Sequence, residues 1–370
     1  MPPKSPLFVG SPVFRRAAYG GNHPLAIPRV ASVMDLCEML GWLDDGNFRE
    51  SRAASVDELA RFHTRDYIGA LRASEEAGKV PVEIRERYNL GNRENPVFAG
   101  VFERASTAAG GSILAARLAM ECGLAYHPSG GTHHGRPDRA SGFCYFNDPV
   151  FAILSFLDEG AGRVLYVDVD AHHGDGVQDA FAGDERVLTV SIHEAGRFPF
   201  SGPADDRGGG NARNFPVPRG FNDSELDYLM EAAVLPLGHD FAPDAVVITC
   251  GADGLAGDPL SAMALSNVAL WRAVGMAAAL SPATVVLGGG GYNPWTVARC
   301  WTGLWGYLNG WPAGEELPAA ARELLHGLDS DLVDEEDRPN EWFTTLADAP
   351  APGPVRDEIK AVARTVLNGV

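Results

Sequence analysis

The chain has 370 residues, of which 45% are hydrophobic and 21% charged, with a formal net charge of −19, the make-up of an ordinary soluble globular protein. The negative balance argues against sequence-independent DNA binding, which needs a positive surface, and no apolar run reaches the roughly eighteen residues of a membrane span. Five widely spaced cysteines (Cys37, Cys122, Cys144, Cys250 and Cys300) without a C-x-x-C pair argue against a disulfide framework and an all-cysteine zinc site. The acidity suits a cationic substrate, but it chiefly reports solubility.

In chain order, residues 1–6 lack the apolar stretch of a secretory signal, so a cytoplasmic protein is expected. Residues 163–169, 187–192, 245–250 and 283–287 are short runs rich in branched apolar residues, and each precedes a polar or glycine-rich turn. They are predicted to be fully buried strands. Residues 202–220 and the acidic, proline-rich residues 329–354 are expected to be loops. Helices are predicted over 223–233, with Asp223 or Ser224 as cap, over 266–279, and over about 355–367. Strands alternating with helices imply one α/β domain over 1–370, with a parallel sheet covered on both faces. Ligands of such sheets sit beyond the carboxyl ends of the strands. Asp168, Asp170, Ser191, His193, Asp253 and Tyr292 all fall at or just past predicted strand ends.

The segment Asp168-Val-Asp170-Ala-His172-His173-Gly-Asp175 carries five ionisable residues in eight positions after a buried strand. An isolated aspartate there would be read as a helix cap, but burying so many charges without a function costs too much. Asp168, Asp170 and His172 alternate onto one side of an extended strand. A carboxylate and an imidazole at a strand end suit zinc or a similar borderline metal, with Asp170 and His172 as two ligands and Asp253 as a third. The adjacent His133 and His134, flanked by glycines, are candidates for general base and general acid, and Asp168 and Asp175 are the carboxylates left to orient them. A second metal site or plain loop histidines are the alternatives. Gly288–Gly291 after a buried strand suggest backbone packed near a ligand. The G-x-G-x-x-G spacing and a following Lys-Ser/Thr are missing, so a phosphate loop is not indicated. Tyr292 then has a hydroxyl placed to donate to a developing oxyanion. Phe143 and Phe198 lie in glycine-flanked loops, where two rings can line a narrow tunnel.

The ordered motifs around His133-His134, Gly142-Phe143, Asp168 to Asp175, Asp253 to Asp258 and Gly288 to Tyr292, with His23-Pro24 and Arg61 to Tyr67 before them, resemble the histone deacetylase superfamily. The likeness is greatest to class I enzymes and bacterial acetoin-utilisation deacetylases, and runs from about residue 20 to 310, leaving 311–370 as a C-terminal extension. The resemblance implies an arginase-like α/β fold with a mostly parallel eight-stranded sheet and helices on both faces. It implies zinc on Asp170, His172 and Asp253, and His133 and His134 beside the attacking water, backed by Asp168 and Asp175. Tyr292 would polarise the amide carbonyl, while Gly142, Phe143 and Phe198 line an acyl-lysine tunnel. It also implies potassium near Asp168, Asp170, His172, Ser191 and Ile192, and a second potassium on the carbonyls of Phe181, Asp184 and Val187. Two departures stand out. Glu94 stands where relatives place a rim aspartate that grips the substrate backbone, and is the candidate for that substrate contact, with a longer reach. Phe198-Pro-Phe200-Ser-Gly202 replaces Phe-Pro-Gly-Thr-Gly.

The expected activity is zinc-dependent hydrolysis of acyl-lysine in proteins. An acetylpolyamine amidohydrolase is the second reading. A two-manganese ureohydrolase, with Asp175 and His133 as extra ligands, is opposed by Tyr292. A non-enzymatic acyl-lysine binder is opposed by the complete set of reactive residues.

Overall fold

The computed structural model describes residues 6–16, 18–21 and 23–368. The reading of residues 1–6 as lacking a secretory signal therefore lies, apart from Pro6, outside the described residues. Eight strands form one sheet: β1 Leu7–Gly10, β2 Phe48–Glu50, β3 Leu124–His127, β4 Val164–Asp168, β5 Val187–Glu194, β6 Ala212–Val217, β7 Ala245–Thr249 and β8 Ala283–Leu287. Their spatial order is β2-β1-β3-β8-β7-β4-β5-β6, and every pairing is parallel. The expected "mostly parallel" sheet is thus wholly parallel.

Both faces of the sheet are buried. Along β4, Leu165 and Val167 pack into one apolar cluster, and Val164 and Tyr166 into another. The first cluster takes Leu270 and Ala273 from the helix Asn267–Ala278 and Trp301 and Trp305 from the helix Pro294–Asn309. The second takes Ala115 and Ala119 from the helix Val101–Cys122 and Ile153 and Phe156 from the helix Asp148–Asp158. Two-sided burial explains why the central strands read as unbroken apolar runs.

Two expectations need correction. Residues 202–220 are not all loop, because β6 runs through them as an edge strand. Pro216 and Arg213 interrupt its apolar pattern, and an edge strand paired on one side tolerates such a proline. The helix Asp223–Leu229 is capped by Asn222, whose Oδ1 accepts the Ser224 and Glu225 N–H groups at 3.1 and 3.3 Å, rather than by Asp223 or Ser224. Asp223 is buried and accepts from Ser266 N, Ser266 Oγ and Ala351 N at 2.9, 2.6 and 2.7 Å. The predicted helix over 266–279 is found as Asn267–Ala278, with Ser266 accepting the Ala269 N–H as its cap. All five cysteines are free, and all but Cys122 are buried.

Residues 329–354 are largely irregular and lead into a last helix, Asp357–Leu367. This segment is tied to the sheet layers by buried polar contacts. Fully buried Arg299 donates to Thr345 O at 2.6 Å and to Asp348 Oδ1 at 2.7 Å, and Asn267 donates to Leu346 O at 2.8 Å. Arg356 meets both oxygens of fully buried Glu225 at 2.6 Å. Burial alone would raise the Glu225 pKa, but the hydrogen bonds from Arg356 outweigh it and hold the carboxyl below its ordinary value. A depressed folded pKa stabilises the fold above the unfolded value of about 4.3, and that contribution is lost as pH falls through the folded pKa. Arg356→Ala is expected to cost on the order of 2 kcal/mol at pH 7, the scale of charge-assisted hydrogen bonds to a buried group. The deficit relative to the parent should shrink on acidification below about pH 4, as thermal unfolding across pH will show. A deficit independent of pH would mean that the pair does not hold the C-terminal segment electrostatically.

Candidate active site

The strands β3, β8, β7, β4 and β5 are consecutive in the sheet, and the segments leaving their carboxyl ends supply the candidate residues. His133 and His134 follow β3, Asp170 to Asp175 follow β4, Asp253 follows β7, and Tyr292 follows β8. The parallel register sets Asp168 beside Thr249 on one side and Ser191 on the other. Positions far apart in the chain thereby meet at one rim.

Asp170, His172 and Asp253 are buried and form the one group of metal-type side chains found among the described residues, with ligand atoms all within 4.8 Å of one another. His172 Nδ1 lies 2.9 Å from Asp253 Oδ2 and 3.2 Å from Asp170 Oδ1. Burial disfavours a charged His172, yet its hydrogen bonds to Asp170 and Asp253 raise its pKa well above the ordinary value. Burial, then the charge of Asp170, raises the pKa of Asp253. Two buried carboxylates that repel one another and draw positive charge onto the histidine between them form a donor set suited to a cation.

The glycine run after β8 is explained by the same carboxylates. Gly290 N donates to Asp170 Oδ2 at 2.6 Å, and a Cβ at Gly290 would collide with Asp253 and Asp170. The expected ligand against this backbone is the protein's own acidic pair. Gly289 and Gly291 have φ of 153° and 136°, values open to glycine alone.

His133 and His134 are both buried, with ring centroids 4.0 Å apart. His133 Nδ1 is 2.7 Å from Asp168 Oδ2, and His134 Nδ1 is 2.8 Å from Asp175 Oδ1. Ionised carboxylates only accept, so each Nδ1 carries the hydrogen and each Nε2 is left for chemistry. His133 Nε2 lies 3.8 Å from Asp170 Oδ1, at the edge of the acidic group. Burial works against charge on both rings. At His133 the charges of Asp168 and Asp170 outweigh it and raise the pKa to about 9. At His134 burial prevails, reinforced by the neighbouring His133, and lowers the pKa to about 3. The two adjacent imidazoles are thereby pushed in opposite directions, His133 toward the charged form and His134 toward the neutral one.

A cavity of about 40 Å³ is lined by His133, His134, Asp170 and Tyr292. An outer cavity of about 480 Å³ reaches His134, His172 and Tyr292 between Gly142, Phe143, Phe198, Phe200 and Leu260. Phe198 packs edge-on against His134 at 5.0 Å, and Phe143 against Tyr292 at 5.9 Å. The Tyr292 ring is buried, and its hydroxyl makes no hydrogen bond to another described residue. Burial, then the charges of Asp253 and Asp170, raises that hydroxyl's pKa well above 10.0, so it stays a donor. Glu94 also lines the outer cavity, but its carboxylate accepts the Gly142 N–H and an Asn89 N–H. It braces the wall of the channel. Phe200, with φ of 62°, is 78% exposed at the mouth.

A histone deacetylase domain model matches residues 23–308. The chain is 37% identical over 327 residues to the acetoin utilization protein AcuC of Bacillus subtilis (strain 168), covering 84% of each chain. The chain belongs to the histone deacetylase family. Histone deacetylase 8 of Xenopus tropicalis is 37% identical over 302 residues, covering 79% of this chain and 81% of that one. The crystal structure of a histone deacetylase homologue from Aquifex aeolicus superposes with a TM-score of 0.93 at 36% identity, covering 98% of this chain and all of that one. A structure of such a homologue complexed with SAHA gives 0.92. Membership places the chain among the hydrolases of amide bonds.

Several residues that build this deacetylase site escaped sequence reasoning. Asp148 accepts from Gly131 N at 3.0 Å, Thr132 N at 2.7 Å and Ser112 Oγ at 2.6 Å, and so shapes the turn before His133. Asn147 Nδ2 donates to His133 O and Gly135 O at 3.1 and 3.0 Å, fixing its far side. Asp258 accepts the Tyr292 N–H at 2.7 Å. Arg29, over the Trp301 ring at 5.3 Å, donates to Gly289 O at 2.7 Å. Asp258 ends the motif that begins at Asp253, and Asp148 follows Phe143 by five positions, so nearness to these motifs was the available signal. Arg29 lies in an apolar helix start with nothing nearby to mark it. Among the described residues, no helix is long and apolar enough to cross a membrane.

Proposed function

We propose that the chain is a zinc-dependent deacylase that hydrolyses the amide of an acylated lysine side chain or of a small acylated amine. The reading rests on one observation above all: two histidines, each backed by its own carboxylate, stand beside a buried Asp-His-Asp group at the foot of an aromatic channel. Asp170, His172 and Asp253 would hold the zinc, since one nitrogen and two carboxylate donors leave a position open as catalytic sites do. When bound, zinc supplies Lewis acidity, acidifying water and polarising a carbonyl.

The chain's own groups do the rest. Asp168 and Asp175 fix the tautomers of His133 and His134, so that both Nε2 atoms face the reacting centre. One histidine of the pair takes the proton from the attacking water, and the protonated one returns a proton to the leaving amine. The Tyr292 hydroxyl donates to the carbonyl oxygen as negative charge develops there, an interaction stronger in the transition state than in the ground state. Phe143 and Phe198 hold the alkyl stem, with Gly142 between them because a Cβ there would press on His134 and Phe198. Glu94, which lines the outer cavity and accepts the Gly142 N–H, is the rim residue proposed to meet the substrate backbone. A potassium ion near Asp168, Asp170, His172, Ser191 and Ile192 belongs to the proposal. The pairing of Asp168 with Ser191 supports it by making these residues neighbours. A single catalytic domain, including the C-terminal segment, and a cytoplasmic location complete the reading.

The test is turnover by the zinc-loaded protein of acetyl-lysine peptides, longer acyl-lysines and acetylated polyamines side by side. The peptides should be hydrolysed; preference for the polyamines would move the assignment to small amines. Failure to cleave any of the three amides would sink the proposal.

A further inference from the structure

Asn211 stands immediately before β6, and its carbonyl accepts the Thr189 N–H of β5 at 2.9 Å. Its side chain crosses to the turn between the helix Asp175–Ala180 and β5. There Nδ2 lies 2.8 Å from Phe181 O, 3.0 Å from Asp184 O and 2.7 Å from Val187 O. Oδ1 accepts the Gly183 N–H at 3.1 Å. That contact fixes the amide's orientation, because a flipped amide would set an oxygen against three carbonyl oxygens and a nitrogen against an N–H.

Three carbonyls converging on one point exceed what an amide nitrogen with two hydrogens needs. Convergent backbone carbonyls are how proteins replace the hydration shell of potassium, and these three are the ones to which family resemblance assigns a second potassium. The nitrogen and an ion cannot share the same place. Nor is a free carboxylate at hand to compensate an added charge, since both Asp184 oxygens are engaged by Arg186 at 2.9 and 2.7 Å.

We propose that Asn211 is a covalent stand-in for the second potassium: its amide nitrogen occupies the carbonyl cage, and this chain binds no cation there. The latch from β6 to the turn before β5 is then independent of salt. The inference does not depend on the deacylase reading, because its test reads cation binding and not hydrolysis.

Crystals of the zinc-loaded chain soaked in rubidium chloride should show no anomalous peak among the carbonyls of Phe181, Asp184 and Val187. A rubidium peak there, with the Asn211 side chain displaced, overturns the proposal. Asn211→Ala should open the cage, so that a peak appears. Its melting temperature should also rise in potassium over choline chloride by about 2 °C more than the parent's, since an ion that binds only the folded state stabilises it. An empty cage with no added potassium response in that variant would equally overturn the stand-in role. Should the alanine variant fail to fold, Asn211→Asp serves instead. It keeps the acceptor for Gly183 but sets a carboxylate against three carbonyls, so its stability should depend strongly on potassium. Indifference to potassium in that variant counts against the proposal.

Discussion

Tyr292→Phe is expected to lower kcat by about 10²–10³-fold, the usual cost of one oxyanion donor, with KM nearly unchanged. The split follows from the geometry. The ring, which packs on Phe143 and His172, is retained, so the channel keeps its shape. Only the hydroxyl is lost, and it makes no hydrogen bond to another described residue, so the melting temperature should not move. Losing a donor used only as charge develops lowers kcat and kcat/KM together. Steady-state kinetics on an acetyl-lysine peptide will measure both. An unchanged kcat would remove Tyr292 from the mechanism, and a rise in KM alone would make it a binding residue.

Asp253→Asn should have the second large effect, and it carries two signs. Zinc content, measured after dialysis, should fall from one per chain to near zero, with activity reduced by more than the roughly 100-fold typical of removing a mere support for a ligand. The stability of the metal-free protein should move the other way. Asp253 and Asp170 are both fully buried and lie on one imidazole, so removing one charge relieves a repulsion that the histidine between them only partly offsets. The metal-free variant is therefore expected to melt no lower than the metal-free parent, whereas added zinc raises the melting temperature of the parent alone. A variant that retains zinc, or whose metal-free form collapses, would show that Asp253 serves the fold rather than the ion.

Much of this centre was legible because its residues sit in dense, short-range patterns. Asp168 to Asp175 packs its ionisable groups behind an apolar strand, and Gly288 to Tyr292 packs its glycines in the same way. The four central strands were visible because two-sided burial leaves no polar interruption. β1, β2 and β3 run only three or four residues, too few to establish a pattern, and β6 hides behind Pro216. Asn222 was passed over as a cap because Asp223 and Ser224 beside it are equally good capping types, and only the tertiary partners of Asp223 decide between them. Glu94 was legible as a rim candidate, but its contact with the Gly142 backbone was not. Whether its carboxylate faces substrate or the Gly142 backbone depends on the fold of two loops that share no sequence proximity.

The rim built from five neighbouring strands bears on how the centre comes into being. His172 and Asp253 are 81 positions apart, and no short loop carries the ligand set. In a zinc finger the ion organises a local segment that is otherwise unfolded. Here closing the distance falls to the pairing of β4 with β7, a slow, non-local event. An ion held there would meet a frame already assembled, a guest of the folded chain rather than its nucleus.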